Sequence, residues 1–150
     1  MPRWSKWTDI EEYANYKGCG VYKIRLVNSK GFPIGISRFL GQDEDGILVI
    51  GESINIERRM NNFYGAIKGK GYAHSEAERL YLIKEYTNFK ERHDSCKLQY
   101  SFTELTSKSQ AEWEEERLLK CYFKRYGEVP PLNANLPQKH VGWQSLKCHP

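Results

Sequence analysis

The sequence predicts an α+β domain, a small and mainly antiparallel β-sheet of about three strands flanked by helices. Two observations predict it. Short runs at 19–27, 47–51 and 97–105 are rich in Val, Ile, Leu, Tyr and Phe and read as strands. Longer stretches at about 55–67, 75–91 and 109–126 open on Asn or Ser and carry apolar residues at helical spacing. Their order along the chain is ββααβα.

The first run, CGVYKIRLV, alternates roughly as a half-buried strand does, and Ser29, Lys30 and Gly31 then signal a turn. Residues 32–40 are mixed, with Pro33 and Gly35, and have room for a short irregular strand. QDEDG at 42–46 is a polar turn, and ILVIG at 47–51 is a short buried strand. The two strands suggest a hairpin, although about 20 residues between them is long for one. Asn55 is a fair N-cap for the first helix, which Gly69 to Gly71 break. Ser75 with Glu78, and Ser109 with Glu112, form capping-box patterns that open the next two helices. Gly127 is a left-handed stop for the last, with Pro130 and Pro131 beyond it. Residues 132–150 read as irregular chain along the surface.

The 150 residues suffice for one domain spanning 1–150, with a core at about 18–133 and extensions at both ends. No run of about 18 apolar residues exists, so neither a membrane span nor a membrane partner is expected. Residues 1–10 hold Trp4 and Trp7 but no apolar stretch of the kind a secretory signal needs. The four cysteines, Cys19, Cys96, Cys121 and Cys148, form no CxxC pair. That pattern predicts neither a zinc site nor a disulfide framework, and it fits a reduced, cytoplasmic setting. A net charge of +4 is compatible with a phosphate-rich partner, and equally with an ordinary soluble protein.

Two polar residues stand out by helical phase, at about 100° per residue. On the last helix Ala111, Leu118, Leu119, Tyr122 and Tyr126 define an apolar stripe with Glu115 near its centre. Glu112 and Glu114 fall near the edges, and Glu116 well off it. A carboxylate inside such a stripe is costly unless it is paired or binds a metal, so Glu115 is either a functional residue or a buried ion-pair partner. On the first helix Ile56, Met60, Phe63, Tyr64 and Ile67 face inward. Arg59 flanks that face at about 80° and can reach a groove beside the core, whereas Arg58 points away into solvent.

The motifs add to this. Gly20-Val21-Tyr22 opens the first strand, Val49-Ile50-Gly51 closes the second, and Gly51-Glu52-Ser53-Ile54-Asn55-Ile56-Glu57-Arg58-Arg59-Met60 follows without a gap. The set, from about Gly20 to Asn133, resembles the GIY-YIG nuclease superfamily. In that family a catalytic arginine lies eight residues after the second glycine, which is Arg59 here. A metal-binding glutamate lies on a later helix ahead of two apolar residues, a pattern matched by Glu115 with Leu118 and Leu119. A proline-rich turn ending in asparagine often follows, and Pro130-Pro131-Leu132-Asn133 is similar to it. Three positions depart from the family. Val49 stands in place of its second tyrosine, Phe63 in place of a histidine one turn after the arginine, and Glu52 in place of a frequent lysine or glutamine.

The resemblance implies a nuclease that cuts nucleic acid, double-stranded DNA above all, with one Mg²⁺ or Mn²⁺. Tyr22 would activate or position water, Arg59 would clamp the phosphate, Glu115 would bind the metal, and Asn133 would orient the Glu115 region or a phosphate. The departures at Val49 and Phe63 raise the alternative of a catalytically weakened module that binds DNA or a protein partner. His74 is a candidate substitute for the missing imidazole, or simply a surface histidine. Lys23 and Arg25 alternate with Tyr22 and are expected on solvent or a DNA backbone. Lys68, Lys70, Arg79, Lys84 and Lys90, interleaved with Tyr64, Tyr72 and Tyr81, suit either phosphate contacts and base stacking or solvated helix faces. The tail residues Lys139, His140, Trp143, Lys147 and His149 are equally open. With no second DNA-binding domain evident, specificity would come from loops, the tail or a homodimer.

Overall fold

The computed structural model describes residues 3–71 and 74–148, so Tyr72 and His149 lie outside the described residues. The fold is α+β, with a four-stranded antiparallel sheet, a two-stranded sheet and four α-helices. In chain order the strands are β1 (Thr8–Asp9), β2 (Gly20–Val27), β3 (Ile36–Arg38), β4 (Gly41–Asp43), β5 (Ile47–Ser53) and β6 (Lys97–Glu104). The helices are α1 (Ile56–Ile67), α2 (Ser75–Tyr86), α3 (Phe89–Arg92) and α4 (Lys108–Tyr126). The main sheet runs β1-β6-β2-β5, so the Gly20 and Gly51 strands are antiparallel neighbours with Tyr22 opposite Gly51.

About three strands are expected from the sequence, and the fourth has a simple origin. β1 is only two residues long, too short for any periodicity, and it forms by pairing Thr8 with Tyr100 and Asp9 with Gln99 on the edge of β6. The tryptophans beside it finish the docking: Lys23 lies 4.4 Å from the centroid of Trp4 and Arg25 4.2 Å from that of Trp7. Both cations, expected in solvent or on DNA, are therefore half-buried staples of the N-terminal segment. The long connection between β2 and β5 folds into the β3–β4 hairpin. That hairpin docks on the end of α4, where the Leu40 N–H donates to the Tyr126 carbonyl at 2.9 Å.

Helices cover both faces of the main sheet. Tyr22, Ile24, Leu26 and Tyr100 pack against Ile56, Met60 and Phe63 of α1 and Ala77 and Leu80 of α2. On the other face Val21, Ile47 and Ile50 meet Ala111, Leu119 and Tyr122 of α4. A bulge in the β2–β5 pairing, between Ile24 and Arg25, lets the adjacent Leu48 and Val49 both join the first cluster. Among the described residues no helix is long and apolar enough to cross a membrane.

Asn55 caps α1 as the sequence predicts, accepting from the Arg58 N–H at 3.0 Å. Two other caps differ. His74 occupies the cap position of α2, because the Ser75 hydroxyl turns to Glu76 instead. Ser107, not Ser109, caps α4 through the Gln110 N–H at 3.2 Å. α2 stops at Tyr86 rather than near 91, because Thr87 is extended and its hydroxyl accepts from the Phe89 N–H, starting the separate α3. Gly127 ends α4 at φ 73°, a left-handed conformation in which a side chain is strained.

The C-terminal segment corrects two expectations. Cys121 and Cys148 form a disulfide across 27 residues of sequence, with Cα atoms 5.6 Å apart, where the cysteine spacing predicted none. They meet because the segment folds back along α4, where Arg117 donates to the Lys147 carbonyl at 2.8 Å. The same segment buries Glu116, which helical phase places far from the apolar stripe. Its carboxylate accepts N–H bonds from Lys139 at 2.7 Å, His140 at 2.9 Å and Val141, and a bond from the buried Lys120 ammonium at 3.2 Å. Burial pushes the Glu116 carboxyl upward, but the three N–H groups and Lys120 outweigh it and hold it at about 2. Glu116→Ala strands the Lys120 cation and should destabilise the fold by about 3–5 kcal/mol in urea unfolding. A loss below about 1 kcal/mol would show the tail to be loosely held. Because the folded carboxyl titrates low, this stability is present above the ordinary carboxylate range, near pH 4.3, and is lost as pH falls toward 2.

Candidate active site

Strand alternation aims Tyr22 at the face covered by α1 and α2, and its ring crosses directly over Gly51 on the neighbouring strand. A Cβ at position 51 would lie 2.3 Å from the Tyr22 hydroxyl. With Tyr22 only 1% exposed, the ring has no room to yield, so glycine opposite tyrosine is a steric condition for the hydroxyl's position. Gly20 meets a similar limit, since a Cβ there would lie 2.4 Å from the Thr103 carbonyl oxygen. The glycines of both tripeptides thus have packing reasons.

Arg59 enters from the first turns of α1, where Asn55 has fixed the helix start. Its Nε donates to the Tyr22 hydroxyl at 3.3 Å, and its Nη2 lies 3.8 Å from Glu76. Arg58, by contrast, is exposed, as the helical phase requires. On its other side the Tyr22 hydroxyl lies 3.1 Å from Nε2 of His74. His74 is 2% exposed and stands edge-on to Phe63 with ring centroids 4.7 Å apart. The His74 imidazole therefore reaches the Tyr22 hydroxyl from the cap of α2, packed edge-on against Phe63.

His74 Nδ1 lies 3.2 Å from the Glu76 carboxylate and 3.4 Å from the Ala77 N–H. One nitrogen cannot donate to the first and accept from the second. The shorter, charge-assisted contact favours a proton on Nδ1, which leaves Nε2 as an acceptor for the Tyr22 O–H. The charges agree with this tautomer. Burial pushes Glu76 upward, but bonds from His74, its own backbone and Ser75 hold it at about 2, so it is ionised. Burial lowers the His74 imidazole below its ordinary value despite Glu76, so it is neutral at neutral pH. Burial also raises the Tyr22 phenol, against the pull of Arg59.

Glu115 is half-buried on α4 and acts electrostatically on the same cluster. Burial first, then Glu52 and Glu76, push its carboxyl up to about 7, with the Glu52 backbone and Arg59 opposing. Burial and Glu112 raise Glu52 in turn. A depression of about 290 Å³, lined by Glu52, Ser53, Ile54, Arg59 and Lys108, opens beside the cluster, and Arg59 belongs to both. Among the described residues no three His, Cys, Asp or Glu side chains converge as a cage for a metal. Mg²⁺ needs only one or two carboxylates beside water and phosphate. Burial and two acidic neighbours make the charge of Glu115 costly, and a divalent cation would compensate it, so Glu115 fits that group.

Asn133 stands at the edge of β5. Its Oδ1 accepts from the Ile50 N–H at 3.0 Å and its Nδ2 donates to the Ile50 carbonyl at 2.9 Å, so the amide pairs with the outer edge of β5 like a strand residue. The structure thus brings Tyr22 and Arg59 into contact, sets Glu115 in their field, and places Asn133 on a backbone. Sequence reasoning missed Glu76 altogether and ranked His74 low. Glu76 looked like an ordinary acidic residue in the first turn of a helix, which left no signal for its role. Among the basic residues singled out, Arg79 donates to the Leu132 carbonyl at 2.7 Å and is structural. No family model matches the chain, and no curated protein or solved structure does.

Proposed function

We propose that the chain is a metal-dependent endonuclease hydrolysing phosphodiester bonds of DNA, as its GIY-YIG resemblance implies. One observation carries the reading. The Tyr22 hydroxyl is held between the Arg59 guanidinium and the His74 imidazole, beside an open depression and within the field of the Glu115 carboxyl. A buried phenol with a raised pKa needs an acceptor to act as a base, and His74 Nε2 is in place to take its proton while Glu76 holds Nδ1–H. Arg59 stabilises the phenolate through Nε and keeps its remaining N–H donors for a phosphate oxygen, which a guanidinium matches in charge and shape. Glu115 would hold Mg²⁺ or Mn²⁺, which supplies charge neutralisation at the phosphoryl and leaving oxygens.

A second reading, a weakened binding module, is favoured by Val49. It is fully buried opposite Ile24, so β5 delivers no hydroxyl at that point. Incubation of supercoiled plasmid with the protein decides between them. Nicking that requires Mg²⁺ or Mn²⁺ and stops with EDTA is expected. Binding without nicking in either metal would favour the module.

A further inference from the structure

A groove of about 510 Å³ runs along the outer side of α1, against the segment that follows β1. It carries Arg58, Lys68 and Lys70 against a single carboxylate, Glu11, so its net charge favours an anion. Asn61 and Asn62 line it as well. Two phenol rings complete it. The Lys68 ammonium sits 3.7 Å from the centroid of Tyr64 and covers one face of that ring. Tyr13 is 75% exposed, leaving a flat aromatic surface open to solvent.

Duplex DNA presents phosphates to a surface and keeps its base faces stacked away. A concave groove with an open aromatic face, amides and cations has more to offer an unstacked strand: a ring to stack on, donors and acceptors for base edges, and charge for phosphates. Arg58 directly precedes Arg59, and from Arg58 to Lys68 the helix advances about 15 Å, room for a few nucleotides. We infer that this groove holds a single-stranded segment of DNA next to the phosphodiester presented to Arg59, so that the preferred substrate carries an unpaired strand. The inference rests on the nuclease reading for its purpose, but binding can be measured apart from cleavage.

The test uses a short fluorescent oligothymidylate and a blunt hairpin duplex, titrated with the full chain in EDTA and followed by anisotropy. The oligothymidylate should bind more tightly than the hairpin. Tyr13→Ala, at an exposed ring whose loss leaves the core untouched, should weaken oligothymidylate binding about tenfold and leave hairpin binding unchanged. Lys68→Ala with Lys70→Ala should flatten the logarithmic salt dependence by about 1.4. Equal or tighter hairpin binding, or an indifferent Tyr13→Ala, would overturn the inference. Groove binding as described by a protein that nicks nothing would retain the groove and remove the nuclease. Nicking without oligothymidylate binding would do the reverse.

Discussion

Arg59→Ala should nick plasmid about 100-fold more slowly than the native chain, or not measurably, while Arg58→Ala keeps the rate at saturating DNA and loses affinity. The two residues are neighbours in sequence with the same charge, so any effect of net charge is shared between them. Their surroundings are not shared. Arg59 donates to the Tyr22 hydroxyl and faces Glu76, with its side chain 30% exposed, so it can touch substrate on one side and the cluster on the other. Arg58 lines the groove on the outer side of α1. Arg59→Lys should recover little of the rate, because an ammonium keeps the charge but loses the planar fork that would span phenol and phosphate. Single-turnover nicking at saturating protein separates rate from binding. Equal rate defects in Arg58→Ala and Arg59→Ala would show that the helical face does not set their roles.

Glu115→Gln should abolish metal-dependent nicking and at the same time make the metal-free protein more stable at pH 8. The sign follows from the direction of the shift. The folded carboxyl is raised to about 7, above its value in the unfolded chain, chiefly by burial and then by Glu52 and Glu76. The folded state therefore binds the extra proton between the two values, and the favourable contribution is complete below about pH 4.3. It is lost as pH rises through about 7. Above that pH the ionised group is a burden that the neutral amide removes. The shift sets an upper bound of about 3.5 kcal/mol, and solvent around a half-buried side chain reduces it to about 1–2 kcal/mol. That corresponds to a rise in Tm of about 3–6 °C at pH 8, shrinking as pH falls and vanishing below about pH 4. Added Mg²⁺ should stabilise the native protein at pH 8 and leave Glu115→Gln unmoved. A Glu115→Gln protein that melts lower and still nicks at the native rate would make Glu115 an ion-pair partner instead of a metal ligand.

Whatever depends on neighbours within a strand or a helical turn was legible in the order of the residues. Alternation in GVYKIRLV put Tyr22 on one face of β2, and Asn55 set the start of α1, which sends Arg59 inward and Arg58 outward. Gly127 ended α4 where the sequence said it would. Glu115, picked out by the same helical phase, lies in the field of Tyr22 and Arg59. What depends on which distant segment covers a residue was not legible in that order. Glu116 points away from the apolar stripe, yet it is fully buried because the chain near Val141 returns over it. Cys121 and Cys148 have no signature spacing, and only that returning segment brings them together. β1 exists through the edge of β6, and Asn133 spends its amide on Ile50 across 83 residues of sequence. His74 shows the difference most clearly. In sequence it is a polar residue ahead of a helix, but the packing of α2 against α1 and β2 carries it onto Phe63 and within 3.1 Å of Tyr22. Periodicity and capping report local backbone geometry, whereas burial and the shifts in proton affinity that follow from it are set by contacts between segments far apart in the chain.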